Sequence, residues 1–178
     1  ILIFLGYTAC RKEKAKHSPS LLLVTIDTLR ADRLGVYGWE KARTPNLDAL
    51  AASGRYYKEV FTPVPVTLPA HASILTGRLP FQHGIRNNSF YVLPQDETTL
   101  AEVLKSAGYQ TAAIIGAAVL DHRFGLDQGF DLYDDDVGKG DTGLFIAERS
   151  ASEVTELALS WLEDLDRDSL FFLWVHYF

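Results

Sequence analysis

Three short apolar runs, "SLLLVTID" (20–27), "YQTAAIIGA" (109–117) and "SLFFLWVHYF" (169–178), constrain the fold of this chain more than any other feature. Runs of this length, rich in branched and aromatic residues, read as strands buried on both faces, as in a parallel sheet. The segments between them carry helix punctuation. "TPNLDALAASG" (44–54) has Thr44 as N-cap, Pro45 at the first helical position and Gly54 as a stop. "TTLAEVLKSAG" (98–108) pairs Thr99 with Glu102 as a capping box and closes on Gly108. "SASEVTELALSWLEDL" (150–165) repeats the box at Ser150 and Glu153, with Val154, Leu157, Trp161, Leu162 and Leu165 at helical spacing. Strands alternating with helices predict an α/β fold with a mostly parallel sheet. Ligands of such sheets bind beyond the carboxyl ends of the strands, and Asp27 lies at one of those ends. The stretches 77–97 and 118–149 show no regular pattern, and loops of that length are often functional.

The chain has 178 residues, enough for one domain with a sizeable core. Its net charge of −6, with basic residues gathered only at 11–16, argues against a nucleic-acid partner. It contains no methionine and both ends read as cut, which suggests a piece of a longer protein. Residues 1–9 are apolar, and Thr8 and Ala9 precede the single cysteine, Cys10. That pattern suits the tail of a signal segment with a lipoprotein-like cysteine, which would place the protein outside the cytoplasm, periplasmic or anchored to the envelope membrane through Cys10. A membrane-anchor end or a plain hydrophobic strand fits the same residues. Residues 1–19 are thus read as a truncated signal and linker, and 20–178 as the catalytic-domain part.

Candidate chemistry gathers around "VTLPAHASILTG" (66–77). Thr67 can be a helix N-cap, with Pro69 in the first turn. It can also be a nucleophile, if a bound divalent cation lowers its hydroxyl pKa and the helix start offers N–H groups to an anion. Asp27 is the candidate ligand of that cation, since a carboxylate ending a buried strand is costly unless paired. It can also cap the next turn, or pair with Arg30 or Arg33. His71, four residues after Thr67 on the same helical face, is placed to bond the Thr67 hydroxyl or a substrate oxyanion, or simply to pack. His83 and His122 lie in the long loops without an assigned role. The acidic run "DLYDDDVGKGD" (131–141) reads as solvated.

"LLLVTIDTLRADRLGVYG", "TPNLDALAASG", "TLPAHASILTGRLPFQHGI", "TLAEVLKSAGYQTAAIIG" and "FFLWVHYF" resemble, in order and spacing, the sulfatases of the alkaline phosphatase superfamily. The resemblance runs from about Ser20 to Phe178, as the N-terminal part of a catalytic domain incomplete at its C-terminus. It implies an alkaline phosphatase-like α/β sandwich around a mostly parallel mixed sheet flanked by helices. It also implies a divalent metal (Ca, Mg or Zn) and a nucleophile at a helix start. Asp27 falls on the first metal-binding aspartate and Thr67 on the nucleophile, itself a metal ligand; His71 stands where the signature arginine would be.

The sequence departs from the family pattern at three places. Thr28 replaces a usual second aspartate. Thr67 replaces the Cys or Ser that becomes formylglycine, a conversion closed to threonine. "GAAVLD" (116–121) replaces a Gly-Lys-Trp-His segment whose Lys and His grip sulfate. Related branches, the nucleotide pyrophosphatase/phosphodiesterases and phosphoethanolamine transferases, use an unmodified threonine. The resemblance therefore implies a metal-dependent hydrolase of sulfate or phosphate esters, on a small-molecule, glycan or lipid substrate. The alternatives are a phosphoryl or phosphoethanolamine transferase of the cell envelope, and a binding domain that has lost its chemistry.

Overall fold

The computed structural model describes residues 19–138, 148–166 and 168–178, together with the backbone of Leu2–Leu5. Cys10, the basic linker and the end of the acidic run lie outside the described residues. Five strands form one sheet: β1 (Leu2–Leu5), β2 (Leu21–Ile26), β3 (Gln110–Ile115), β4 (Leu132–Asp134) and β5 (Phe171–Tyr177). Their order is β1-β2-β5-β3-β4, and only β1 runs antiparallel, along the outer edge of β2. The expected mostly parallel sheet is present. The apolar residues read as a signal-like tail contribute four residues to it as an edge strand.

Among the described residues there are five α-helices, of which α2, α4 and α5 pack on the sheet: α1 (Pro45–Ser53), α2 (Thr67–Thr76), α3 (Pro80–His83), α4 (Leu100–Ser106) and α5 (Ala151–Glu163). Thr44 and Gly54 bound α1 as the sequence indicates. The Thr99–Glu102 capping box forms in full: Thr99 Oγ1 accepts from Glu102 N, and Glu102 Oε2 from Thr99 N. At α5, Ser150 accepts from Glu153 N, so half of that box forms. Two expectations need correction. The stretches read as irregular contain α3, β4 and 3-10 turns at Ala118–Leu120 and His122–Phe124. β4 escapes a periodicity reading because it has three residues inside an acidic run, held by pairing with β3 rather than by its own pattern.

Period-two alternation distributes the core between the two faces of the sheet. Leu23, Ala113, Ile115, Phe172 and Trp174 point to one face, where they meet Leu68, Ala72 and Leu75 of α2 and Ala101 of α4. Ala112, Ile114, Leu173 and Val175 point to the other and meet Val154 and Ala158 of α5. That two-sided burial explains why these strands are apolar throughout.

At the carboxyl end of β3 the chain passes so close to β5 that only glycine fits. A Cβ on Gly116 would sit 2.8 Å from the His176 carbonyl oxygen, a backbone atom that cannot swing away. Gly116→Ala is expected to destabilise the fold by about 1–3 kcal/mol through forced strand displacement. Thermal melts of the two proteins check this; an unchanged Tm would mean that the strand ends separate freely.

Candidate active site

The register of β2 and the docking of α2 together decide what Asp27 meets. Leu23 and Thr25 face α2, and Asp27, two residues further on, continues that face as the strand ends. The Asp27 amide still bonds the Tyr177 carbonyl at 2.9 Å, so the carboxylate is held at the lip of the sheet. Buried Leu68, Ala72 and Leu75 anchor α2 on the same face and bring its first turn over that lip.

Thr67 Oγ1 then donates to Asp27 Oδ2 at 2.9 Å, across 40 residues of sequence. The N-cap of α2 is Val66, in extended conformation and with no side-chain cap; Thr67 is the first helical residue. The capping reading of Thr67 is thereby corrected. As the first helical residue Thr67 stands one place past the cap, and its hydroxyl bonds Asp27 instead.

Asp27 Oδ1 accepts from Thr28 N at 2.8 Å. Thr28 has φ of 51°, a left-handed conformation that is costly for a β-branched residue, about 1–3 kcal/mol. The chain turns sharply away immediately after the carboxylate, at the position where the family pattern has its second aspartate. Arg30, one of the pairing partners considered for Asp27, forms an exposed ion pair with Asp32 at 2.6 Å instead.

One residue that sequence reasoning missed joins this site. Asn88, from the loop after α3, accepts from Leu68 N at 2.8 Å through Oδ1. That donor fixes the orientation of the amide, because only the oxygen can accept. The first turn of α2 has few other N–H groups to offer: Pro69 has none, and Ala70 N bonds the Val66 carbonyl at 3.1 Å. The expectation of an N–H-rich helix start therefore narrows to Thr67 N and, through Asn88, a side-chain amide. The only sequence signal was the Asn-Asn pair in "IRNNSF" within a long loop.

His71 is brought near Thr67, but its Nδ1 bonds the Thr67 carbonyl at 2.8 Å and not the hydroxyl. The ring is buried, stacked on Trp174 and edge-on to His176. Burial pushes its pKa below the usual histidine value. His83 is also buried, with Nε2 at 3.0 Å from Ser73 Oγ and Nδ1 accepting from Ile85 N, so it ties the α3 turn to α2. At the end of β4, His122 Nδ1 lies 2.8 Å from Asp135 Oδ2, and that bond raises the pKa of this exposed ring. Arg149 buries its guanidinium against Asp134 at 2.7 Å, while its amide bonds Gly116, beside the segment that departs from the family pattern.

A divalent cation could find oxygen donors in two regions. Asp27 and Thr67 present adjoining carboxylate and hydroxyl oxygens, a hard donor pair that suits Ca²⁺ or Mg²⁺ as part of a larger ligand set. Asp121, His122 and Asp135 form a second group able to hold a metal ion, with ligand atoms within 4.8 Å of one another. The donors there are already engaged: Asp121 with Arg123, and Asp135 with His122.

A hydroxyl at a helix start, bonded to a carboxylate at the carboxyl edge of a mostly parallel sheet flanked by helices, is set in an alkaline phosphatase-like fold. Residues 19–178 match the Sulfatase family, and the chain belongs to it. Arylsulfatase A from Bos taurus is 43% identical over 102 residues, spanning 54% of this chain and 20% of that protein. The protein BT4656, solved with its substrate D-glucosamine-2-N,6-O-disulfate, superposes with a TM-score of 0.75 at 25% identity, over 89% of this chain and 34% of that one. Phosphonate monoester hydrolase of Agrobacterium radiobacter shares the fold, with a TM-score of 0.65 at 20% identity over 87% of this chain and 40% of that one. The chain thus spans a fifth of that curated relative and about a third of the first of these structures. The family is one of metal-dependent ester hydrolases. Among the described residues no helix is long and apolar enough to cross a membrane.

Proposed function

We propose that this chain is the N-terminal part of a metal-dependent hydrolase of sulfate or phosphate esters in which Thr67, unmodified, attacks the ester. The single observation that carries the reading is the 2.9 Å bond from Thr67 Oγ1 to Asp27 Oδ2. Asp27 is a metal ligand and Thr67 both a ligand and the nucleophile. A divalent cation bound there supplies positive charge that makes the alcohol acidic enough to react.

The protein's own groups do the rest. Asp27 Oδ2 accepts the Thr67 hydroxyl hydrogen and takes that proton as Oγ1 bonds the central atom of the ester; the bond to the leaving alcohol oxygen breaks, and that oxygen takes a proton from water. The helix start orients Thr67 Oγ1, and Thr67 N faces the incoming anion. Asn88, locked by Leu68 N, presents its Nδ2 hydrogens as donors to a non-bridging ester oxygen. This arrangement favours a phosphorus ester over a sulfate ester: threonine keeps a simple alcohol, and neither Ala117 nor Val119 can grip sulfate as the family's Lys and His do. The Thr67–Asp27 contact also weighs against a domain that has lost its chemistry.

Mass spectrometry of the full-length protein, quenched during turnover of an aryl phosphate and of an aryl sulfate, tests the reading. A phosphoryl or sulfuryl adduct on the peptide bearing Thr67 is expected. An adduct elsewhere, or active turnover with no adduct, would refute it. A transferase differs only in the acceptor that takes the group from Thr67, so adding an envelope lipid or glycan acceptor would speed adduct decay for that activity alone.

Asn88 has its own expected signature. Asn88→Ala lowers kcat/KM by roughly 10²–10³-fold through loss of the amide donor. Asn88→Asp can keep the bond to Leu68 N while removing the donor and adding negative charge, and it is expected to fall as far. Steady-state kinetics decide: an aspartate variant with full activity would reduce Asn88 to a helix cap. Export and attachment through Cys10 rest on the apolar residues before it. Signal cleavage and use of Leu2–Leu5 as β1 are mutually exclusive fates of those residues.

A further inference from the structure

A chain of buried polar side chains runs beneath the Thr67 turn, and two of its atoms are matched but unpaired. Trp174 Nε1 donates to Thr25 Oγ1 at 3.0 Å, and Thr25 Oγ1 lies 2.8 Å from His176 Nδ1. The Thr25 hydroxyl thus receives one proton and still has its own to give, with His176 Nδ1 beside it as acceptor. With Thr25 as the donor to Nδ1, His176 carries its hydrogen on Nε2; a hydroxyl oxygen that accepted from Nδ1–H as well would reverse that. On the other ring, His71 Nδ1 faces the Thr67 carbonyl, which can only accept, so His71 carries its hydrogen on Nδ1 and leaves Nε2 as a bare acceptor. Both Nε2 atoms are buried and neither has a hydrogen-bond partner. Their rings are 4.8 Å apart at 87°. Burial lowers the pKa of both imidazoles, that of His176 to about 3, with His71 adding to the effect there.

One unpaired donor and one unpaired acceptor on neighbouring rings form a complementary pair rather than two independent defects. We infer that His176 Nε2–H and His71 Nε2 are joined, ring to ring or across one buried water, and that the completed chain Trp174–Thr25–His176–His71–Thr67 carbonyl positions the Thr67 hydroxyl on Asp27. His71 and His176 are then positioning residues for the nucleophile. They replace, from below, the support that the family's arginine gives at the position of His71. The assignment of their purpose rests on Thr67 being the nucleophile; the hydrogen-bond chain itself does not.

The sequence holds this device in plain view without revealing it. Thr25 and His176 are register partners on neighbouring parallel strands, and Trp174 stands two residues before His176 on the same face. A strand running "FFLWVHYF" would bury leucine or valine at lower cost than histidine. The histidine stands edge-on to His71, which lies one helical turn after Thr67.

Long-range proton–nitrogen spectra of the full-length protein with ¹⁵N-labelled histidine test the chain directly. The expected result is His176 protonated at Nε2 with that hydrogen shielded from solvent exchange, and His71 protonated at Nδ1. The opposite tautomer on either ring, or rapid exchange of the His176 hydrogen, overturns the inference. For the positioning role, His176→Phe and the milder Thr25→Val are assayed well below their melting temperatures. Both are expected to lose kcat, on the order of 10²-fold for His176→Phe, with KM little changed; His176→Gln, which restores an N–H near Nε2, recovers part of the loss. Either folded variant keeping full kcat overturns the positioning role. Failure of the nucleophile reading would show separately, as activity surviving Thr67→Ala while the tautomers remain as stated.

Discussion

Thr67→Ala in the full-length protein is expected to lower kcat by roughly 10⁴-fold or more, leaving folding and metal binding to the remaining ligands in place. The size follows from the kind of group removed. If the reaction proceeds through a bond to Oγ1, alanine offers no atom to form it, and only background attack by water in the site remains. Thr67→Ser keeps the oxygen and the bond to Asp27 Oδ2 and is expected to retain measurable turnover. Kinetics on an aryl phosphate and an aryl sulfate, with circular dichroism to verify the fold, check both variants. Equal activity of the alanine and parent proteins on every ester assayed would remove Thr67 from the reaction.

Trp174→Ala carries the largest expected effect on stability, about 3–5 kcal/mol. The indole is fully buried at the centre of the sheet, stacked on His71 and flanked by Phe130 and Tyr133. Its removal opens a cavity under α2 and takes away the N–H bond to Thr25 Oγ1. Trp174→Phe fills most of the volume without the donor, so the two variants separate packing from hydrogen bonding. Chemical denaturation of all three proteins measures the difference. A loss below about 1 kcal/mol for the alanine variant would mean that the core under α2 closes over the gap.

Much of the fold was legible in the sequence, for reasons that differ between elements. β2, β3 and β5 are buried on both faces, so their apolar runs are continuous and bounded, and a continuous run is hard to mistake. α1 and α4 are announced by Thr-Pro and by Thr-x-x-Glu, because helix ends must satisfy their own backbone groups locally. β4 and α3 were missed because both are too short to show a period, although α3 carries its own punctuation in Pro80, Gln82 and Gly84. β4 exists through pairing with β3, and α3 is also tied to α2 through Ser73 and His83.

The site divides along the same line. Asp27 at a strand end and Thr67 near a helix start could be singled out, since strand burial and helix grammar are short-range properties. Asn88 could not, because an asparagine in an irregular loop carries no pattern. Its bond to Leu68 N spans 20 residues and depends on where α3 turns the chain back. His71 illustrates the opposite error: its spacing from Thr67 was legible, yet the ring turns inward to the carbonyl and to His176.

By itself, then, the sequence determined the order of β2, β3 and β5 and of the helices α1, α2, α4 and α5, the family, and the two ends from which an acid and an alcohol project. Each of these follows from burial and backbone bonding within a single element. The tertiary structure alone decided that the acid and alcohol touch, that an amide from a distant loop joins them, and that two buried histidines underlie the turn. Contacts between elements depend on register and docking, and the chain encodes those only through how its faces pack.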